Sequence, residues 1–396
     1  LDGAAGMAIA RIIQPKMAVE TLDDNDALVN GGALEATLTG TGGTVKVSQH
    51  NDPSAHLEII DQGAGRAAAR TYFTLYSGDG RPFGSGTLDI YVSDGGIHLA
   101  PSIYIDSTPD FGTIGQAGFA FDFPGANAQL IVRGAKVIPD SATRFMPFGE
   151  DTDGFDISIA NPPRGAVRMG WLRNVNPPWL YMRNNGENPE TEELYEKWPH
   201  WITQRGRISW NAAPGAGCSA GFDGSSVSTV SFDWAHGDTL AVPEGGYTAL
   251  NGLLAIFTGD TTSNAQIRWN AHSSPEKPTI KSGEFKYYNE IEGVYEIDSG
   301  GGDVDIIFAN KSKTSPRDVM VRIWNLTGAD GCDMRINGRT TAFTLLNDGD
   351  IIRDPMVPVV KTASGPARTA IVPVTVKPGG VARLTMERTA GIQFTY

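Results

Sequence analysis

Thr87-Leu88-Asp89-Ile90-Tyr91-Val92 alternates along the chain, breaks at Asp94-Gly95-Gly96, and resumes as Ile97-His98-Leu99. Successive side chains of a strand point to opposite faces, so a period of two marks a half-buried strand. A glycine-rich break between two such runs marks a tight turn, and the stretch predicts a β-hairpin.

Outward from it the same signature repeats. Runs of this kind are Val45–Ser48, Gly118–Phe123, Gln129–Arg133 and Phe155–Ile159, then Val227–Trp234, Leu253–Phe257 and Gln266–Trp269. Val304–Phe308, Val319–Trp324, Ala370–Val376 and Val381–Met386 complete the series. Each is short and bounded by Gly, Pro, Asn or Asp, which suits stacked antiparallel sheets. The expected fold is all-β, with two antiparallel β-sandwich units of jelly-roll or super-sandwich type.

One segment reads as helical. Asn188 can cap, Pro189 suits the first helical position, and Glu190, Glu192 and Glu193 favour a first turn. Leu194, Tyr195 and Trp198 begin an apolar stripe, so a short inserted helix is expected near 189–198. A length of 396 residues allows two or three domains. The small-residue stretch Asn211–Gly217 predicts a division near 213, into an N-terminal sandwich (1–213) and a C-terminal one (214–396). A weaker break at 311–316 would split the latter into two modules.

A formal charge of −13 argues against nucleic acid or an anionic membrane as the main partner. No apolar run approaches the length of a membrane-spanning helix. The two cysteines, Cys218 and Cys332, form no C-x-x-C pair and fit one disulfide or two isolated thiols equally. A chain opening on Leu1-Asp2-Gly3 reads as a trimmed product or fragment, and the composition favours a secreted, periplasmic or cell-surface protein. Asn310-Lys311-Ser312 and Asn325-Leu326-Thr327 are glycosylation sequons, a triplet that chance produces often.

Functional signal gathers in mid-chain. Five of the eight tryptophans (Trp171, Trp179, Trp198, Trp201 and Trp210) fall between residues 171 and 210. Arg168, Arg173, Arg183, Arg205 and Arg207 lie in the same region, with Tyr181, Tyr195 and His200. Broad aromatic faces beside planar cations suit a sugar ring or a flat anionic ligand. Trp171 and Arg173, and Trp179, Tyr181 and Arg183, repeat at spacing two, so each set would share one strand face. The plain alternative is that the rings fill the core and the arginines pair with Glu187, Glu190 and their neighbours.

Chemistry is assigned by what each reaction needs. β-Elimination on a uronate requires a base and neutralisation of the carboxylate: Arg173 or Arg183 with Asn184 would hold it, while His200 with Tyr195 or Tyr181 would move protons. Hydrolysis requires two carboxylates, and Glu187, which follows Asn184-Asn185-Gly186, is the better candidate for one of them. Trp171, Trp179, Trp198 and Trp201 would line the substrate groove. Asp151, Asp153 and Asp156 offer oxygen ligands around Gly154 that loosely suit a structural calcium, without the length or closing glutamate of an EF-hand loop. No cofactor is otherwise required. Gly217-Cys218-Ser219-Ala220-Gly221 matches G-x-S-x-G but lacks the strand and helix of a nucleophile elbow, and Gly300-Gly301-Gly302 reads as a turn.

The leading expectation is an exported carbohydrate-active enzyme cleaving a polysaccharide or oligosaccharide, leaning to lyase chemistry over hydrolysis. A non-catalytic glycan-binding, adhesin or capsid-like protein is the competing class. Trp, Tyr and Arg also dominate interface hot spots, which leaves a homo-oligomer open.

Overall fold

The computed structural model describes residues 6–9, 12–13, 27–29, 31–93, 96–106, 108, 110–122, 128–133, 135–137, 150–151, 154–155, 157–158, 165–171, 179–184, 191–197, 217–223, 226–242, 246–251, 253–259, 275–289, 292–313, 316–326, 332–347 and 368–388. Among these the chain is nearly all strand, with a single 3-10 turn at Gln49–Asn51 and no α-helix. The opening hairpin forms as expected: Pro82–Ser93 and Gly96–Asp106 are hydrogen-bonded neighbours. Most of the other alternating runs also lie in strands, while Gln266–Trp269 falls outside the described residues.

The expected helix near 189–198 is not there. Thr191–Lys197 is a strand, paired antiparallel with Leu253–Gly259 so that Leu194 faces Ile256 and Tyr195 faces Ala255. A helix cap contributes about 1 kcal/mol. A full ladder against an apolar strand outweighs it, and propensity yields to tertiary pairing.

The chain divides into two compact units. Unit 1 comprises Leu1–Glu58, Arg70–Asp89 and Leu99–Ile267; unit 2 comprises Ile59–Ala69, Ile90–His98 and Arg268–Tyr396. Residue 213, where the sequence suggested a division, lies outside the described residues, and the strand Gly217–Asp223 just beyond it pairs with Gly165–Trp171.

Unit 1 is organised around a long sheet. Its middle runs Gly217–Asp223, Ser226–Ala241, Thr113–Asp122, Gly31–Gly40, Gly43–Ser48 and Arg66–Ser77 in spatial order. Leu34, Leu38, Val47, Leu75, Leu88, Ile103, Ile114 and Phe119 are sealed from solvent. In Gly31–Gly40 the burial of Leu34, Ala36 and Leu38 follows the period of two that the sequence displays.

Unit 2 is a two-sheet sandwich. One sheet orders Thr279–Ser282, Val304–Ala309, Val381–Arg388, Cys332–Ile336 and Arg339–Thr340. The other orders Glu284–Asn289, Val294–Asp298, Arg317–Leu326, Arg368–Val376 and Thr344–Asn347. Every pairing is antiparallel except Val294–Asp298 with Arg317–Leu326, which run parallel. Ile306, Phe308, Met334 and Leu384 from the first sheet meet Ile297, Val321, Ile323 and Val372 from the second in one core. Tyr295 packs edge-on to Tyr288 and Phe308 within it.

Two central strands of the second sheet are buried on both faces. Val294–Asp298 is buried at every residue, and so are Val319 through Leu326. Tyr295, Ile297, Val319, Val321 and Ile323 face the apolar core, while Glu296, Asp298, Arg322 and Trp324 occupy the other face; an irregularity between Ile323 and Leu326 then returns Leu326 to the core. On that second face lie residues of the two hairpin ends assigned to unit 2, Arg66 and His98 among them.

Candidate functional site

The described residues of the mid-chain window lie in strands. Gly165–Trp171 carries Trp171 at its end, paired with Ala135. Trp179–Asn184 holds Trp179, Tyr181, Arg183 and Asn184 and pairs antiparallel with Ala128–Arg133. The register sets Trp179 opposite Arg133, Tyr181 opposite Ile131, and Arg183 opposite Gln129. Directly opposed positions, and alternate positions of one strand, share a sheet face. Trp179, Tyr181, Arg183, Arg133 and Gln129 therefore occupy one face of a three-stranded sheet completed by Ile157–Ser158. Arg133 and Gln129 were not singled out from the sequence, because only the register couples them to the window.

Tyr195 lies on Thr191–Lys197, which packs against Trp179–Asn184 although the two strands belong to different sheets. Asp151 lies on a two-residue strand opposite Gly154. Arg173, Glu187, Trp198, His200, Trp201, Asp153 and Asp156 lie outside the described residues. Among the described residues no group of three or more His, Cys, Asp or Glu side chains is gathered for a metal ion.

Several other sequence features resolve. Ser219 sits mid-strand between partners on both sides, Arg168 and Ser231, so G-x-S-x-G here builds sheet and not an elbow. Gly300 and Gly301 take positive φ in a turn, where the Gly300 N–H donates to Asp298 Oδ1 at 2.8 Å. Both sequon asparagines are buried. Asn310 Nδ2 donates to the Val376 carbonyl at 3.1 Å, and Asn325 Nδ2 to Asp298 Oδ1 at 2.8 Å. Cys332 is a free, half-buried thiol that burial pushes up from its ordinary pKa.

Among the described residues, a dense buried charge cluster lies in unit 2, on the second face of the strands Val294–Asp298 and Arg317–Leu326. Arg322 donates from Nη1 to Glu296 Oε1 at 2.9 Å and pairs closely with Glu292. Arg66, on the hairpin end, donates from Nη2 to Glu292 Oε2 at 2.6 Å and lies 3.3 Å from Asp61. Asn289 Nδ2 donates to Glu292 and Glu296 at 3.2 Å each, and the Trp324 indole N–H also donates to Glu296. Arg66 stacks over Tyr91, and Arg322 over Trp324. Burial works to raise the Glu292 carboxyl, but Arg322 and Arg66 outweigh it and hold the group at about 2. Burial pushes Glu296 up, with Arg322 pulling the other way and Glu292 adding to the rise. The signal for this cluster was visible in Val-Met-Val-Arg322-Ile-Trp and Val-Tyr-Glu296-Ile-Asp, where a charge interrupts an apolar strand.

On unit 1, an open cleft of about 290 Å³ is lined by Glu35, Lys46, Ser48, His50, Asn51 and Gly78. It offers no Trp, Tyr or Phe ring, and Lys46 pairs with Glu35 at 2.8 Å. The chain matches no known protein-family model, and no curated protein is significantly similar to it.

Proposed function

We propose that this protein is a carbohydrate-active enzyme that cleaves a uronate-containing glycan by β-elimination, at a site built on the strands of residues 165–197. The support is the register that sets Trp179, Tyr181, Arg183, Arg133 and Gln129 on one sheet face. Indole and phenol rings stack on the apolar face of a pyranose, and guanidinium forks match a carboxylate in two-point geometry. Elimination needs the carboxylate neutralised so that the adjacent proton is acidic enough to remove. Arg183, with Asn184 beside it and Arg173 earlier in the chain, supplies that role. Tyr181 and Tyr195, on strands that pack together, supply the proton-handling groups with His200.

The test incubates the protein with a panel of acidic and neutral polysaccharides, following new reducing ends and the ultraviolet absorbance of an unsaturated product. Both signals together mean lyase, and reducing ends alone mean hydrolysis, with Glu187 as one of the acids. Binding without either signal means a glycan-binding protein. Arg183→Ala and His200→Ala are expected to lower turnover on the cleaved glycan at least about 100-fold, the range of a lost charge stabiliser or proton shuttle. Full activity in both variants, with the fold intact, removes this site.

A further inference from the structure

The buried cluster of unit 2 does not balance in charge. Three carboxylates (Asp61, Glu292 and Glu296) meet two guanidiniums (Arg66 and Arg322), and the most exposed of these side chains, Glu292, reaches only 15%. Glu292 accepts from Arg66, Arg322 and Asn289, and Glu296 from Arg322, Asn289 and Trp324. Asp61 differs. Among the described residues neither of its oxygens accepts a hydrogen bond, and the Arg66 Nε at 3.3 Å lies outside hydrogen-bonding geometry.

A sealed carboxylate that receives no donor is the costliest way to carry a surplus negative charge. Protonation removes that cost and turns the group into an O–H donor. We propose that Asp61 is a proton-uptake position, and that mild acidification there tightens the hold of the hairpin end 59–69 within unit 2.

Around Asp61 stand Arg66 from its own hairpin, Arg322 from Arg317–Leu326, and Glu292 from the turn before Val294–Asp298. One step farther are Glu296, Tyr91 and His98, the last lying against Gly293. Burial raises the Asp61 carboxyl above its ordinary 3.8; Arg66 and Arg322 oppose this and Glu292 reinforces it. The folded chain thus binds this proton more tightly than the unfolded chain. Stability from Asp61 grows as pH falls from neutrality towards 3.8, and is lost as pH rises through the folded value.

The experiment measures amide hydrogen exchange of the full chain between about pH 7 and about pH 4, corrected for intrinsic rates. In the unmodified protein, protection of residues 59–69 and 317–326 is expected to rise on acidification, by up to about tenfold for each unit by which the folded Asp61 value exceeds 3.8. Asp61→Asn mimics the protonated acid, so it should be strongly protected at pH 7 and gain nothing further on acidification. No gain in the unmodified protein overturns the proposal. So does a gain that survives in Asp61→Asn, which would assign the response to His98 or another group. Should that variant not fold, the ¹³Cγ resonance of Asp61 in the unmodified protein decides. A midpoint above 3.8 supports proton uptake and a midpoint at or below it overturns the proposal.

Discussion

Arg322 is where burial and charge are most opposed: it is 2% exposed and holds two carboxylates at once. Removing one partner of a buried ion pair strands the other, so Arg322→Ala is expected to destabilise the chain by about 3–5 kcal/mol in urea unfolding. A loss under about 1 kcal/mol would mean that Glu292 and Glu296 find other partners or take up protons. Glu292 carries its own pH signature. Its folded value of about 2 lies below the ordinary 4.5, so its stabilisation is complete above 4.5 and is lost as pH falls towards 2. Glu292→Gln should therefore flatten the acid limb of the stability profile below about pH 4.5, whereas Asp61→Asn should remove the gain in stability that the Asp61 proton brings as pH falls towards 3.8. Arg322 and Glu296 were recognisable in the sequence as charges inside apolar strands. Arg66, Asp61 and Glu292 were not, because each sits in or beside a polar turn segment and gains its meaning from partners on other strands.

Turns and strands show the same division between local and distant information. Gly293 has φ +68°, and a methyl group placed on it would lie 2.3 Å from His98 Cε1. Gly293→Ala should cost about 1–3 kcal/mol, combining a strained backbone with overpacking. Adding His98→Gly should recover the packing part, a coupling that a double-mutant cycle in urea measures. The hairpin strands carry a second device. In Arg66–Ser77 the buried set is Arg66 and Ala68, then shifts phase to Thr71, Phe73, Leu75 and Ser77. In Pro82–Ser93 it runs through Gly86 and Leu88, then shifts to Asp89 and Tyr91. Both shifts fall where the strands pass from unit 1 to unit 2. Asp89 and Arg70 meet there in a two-point ion pair with contacts of 2.5 and 2.6 Å. Read locally, Thr87–Val92 is one alternating strand; the change of buried face becomes visible only with both environments present. Thr191–Lys197 is the opposite case, since its local signals named the wrong element and the ladder to Leu253–Gly259 overrode them.

For the molecule as a whole, unit 2 draws on three separate stretches of chain. Residues 268–396 alone would keep the apolar core between the two sheets but leave Glu292, Glu296 and Arg322 without Arg66, Asp61 and Tyr91. Such a fragment is expected to bind a hydrophobic dye and to exchange the amides of 317–326 far faster than the full chain does. Protection equal to that of the full chain would show that the hairpin ends are dispensable. The all-β character, the opening hairpin and most strand positions follow from sequence alone, because alternation and glycine-rich breaks act within a few residues. The clustering of Trp and Arg at 171–210 is equally local. Tertiary structure alone decided that 191–197 is a strand, that Arg133 and Gln129 stand opposite Trp179 and Arg183, and that 59–69 and 90–98 belong to unit 2. Each of those outcomes rests on pairing or burial between residues far apart in the chain, and a free energy shared across such distances leaves no periodic trace in either segment.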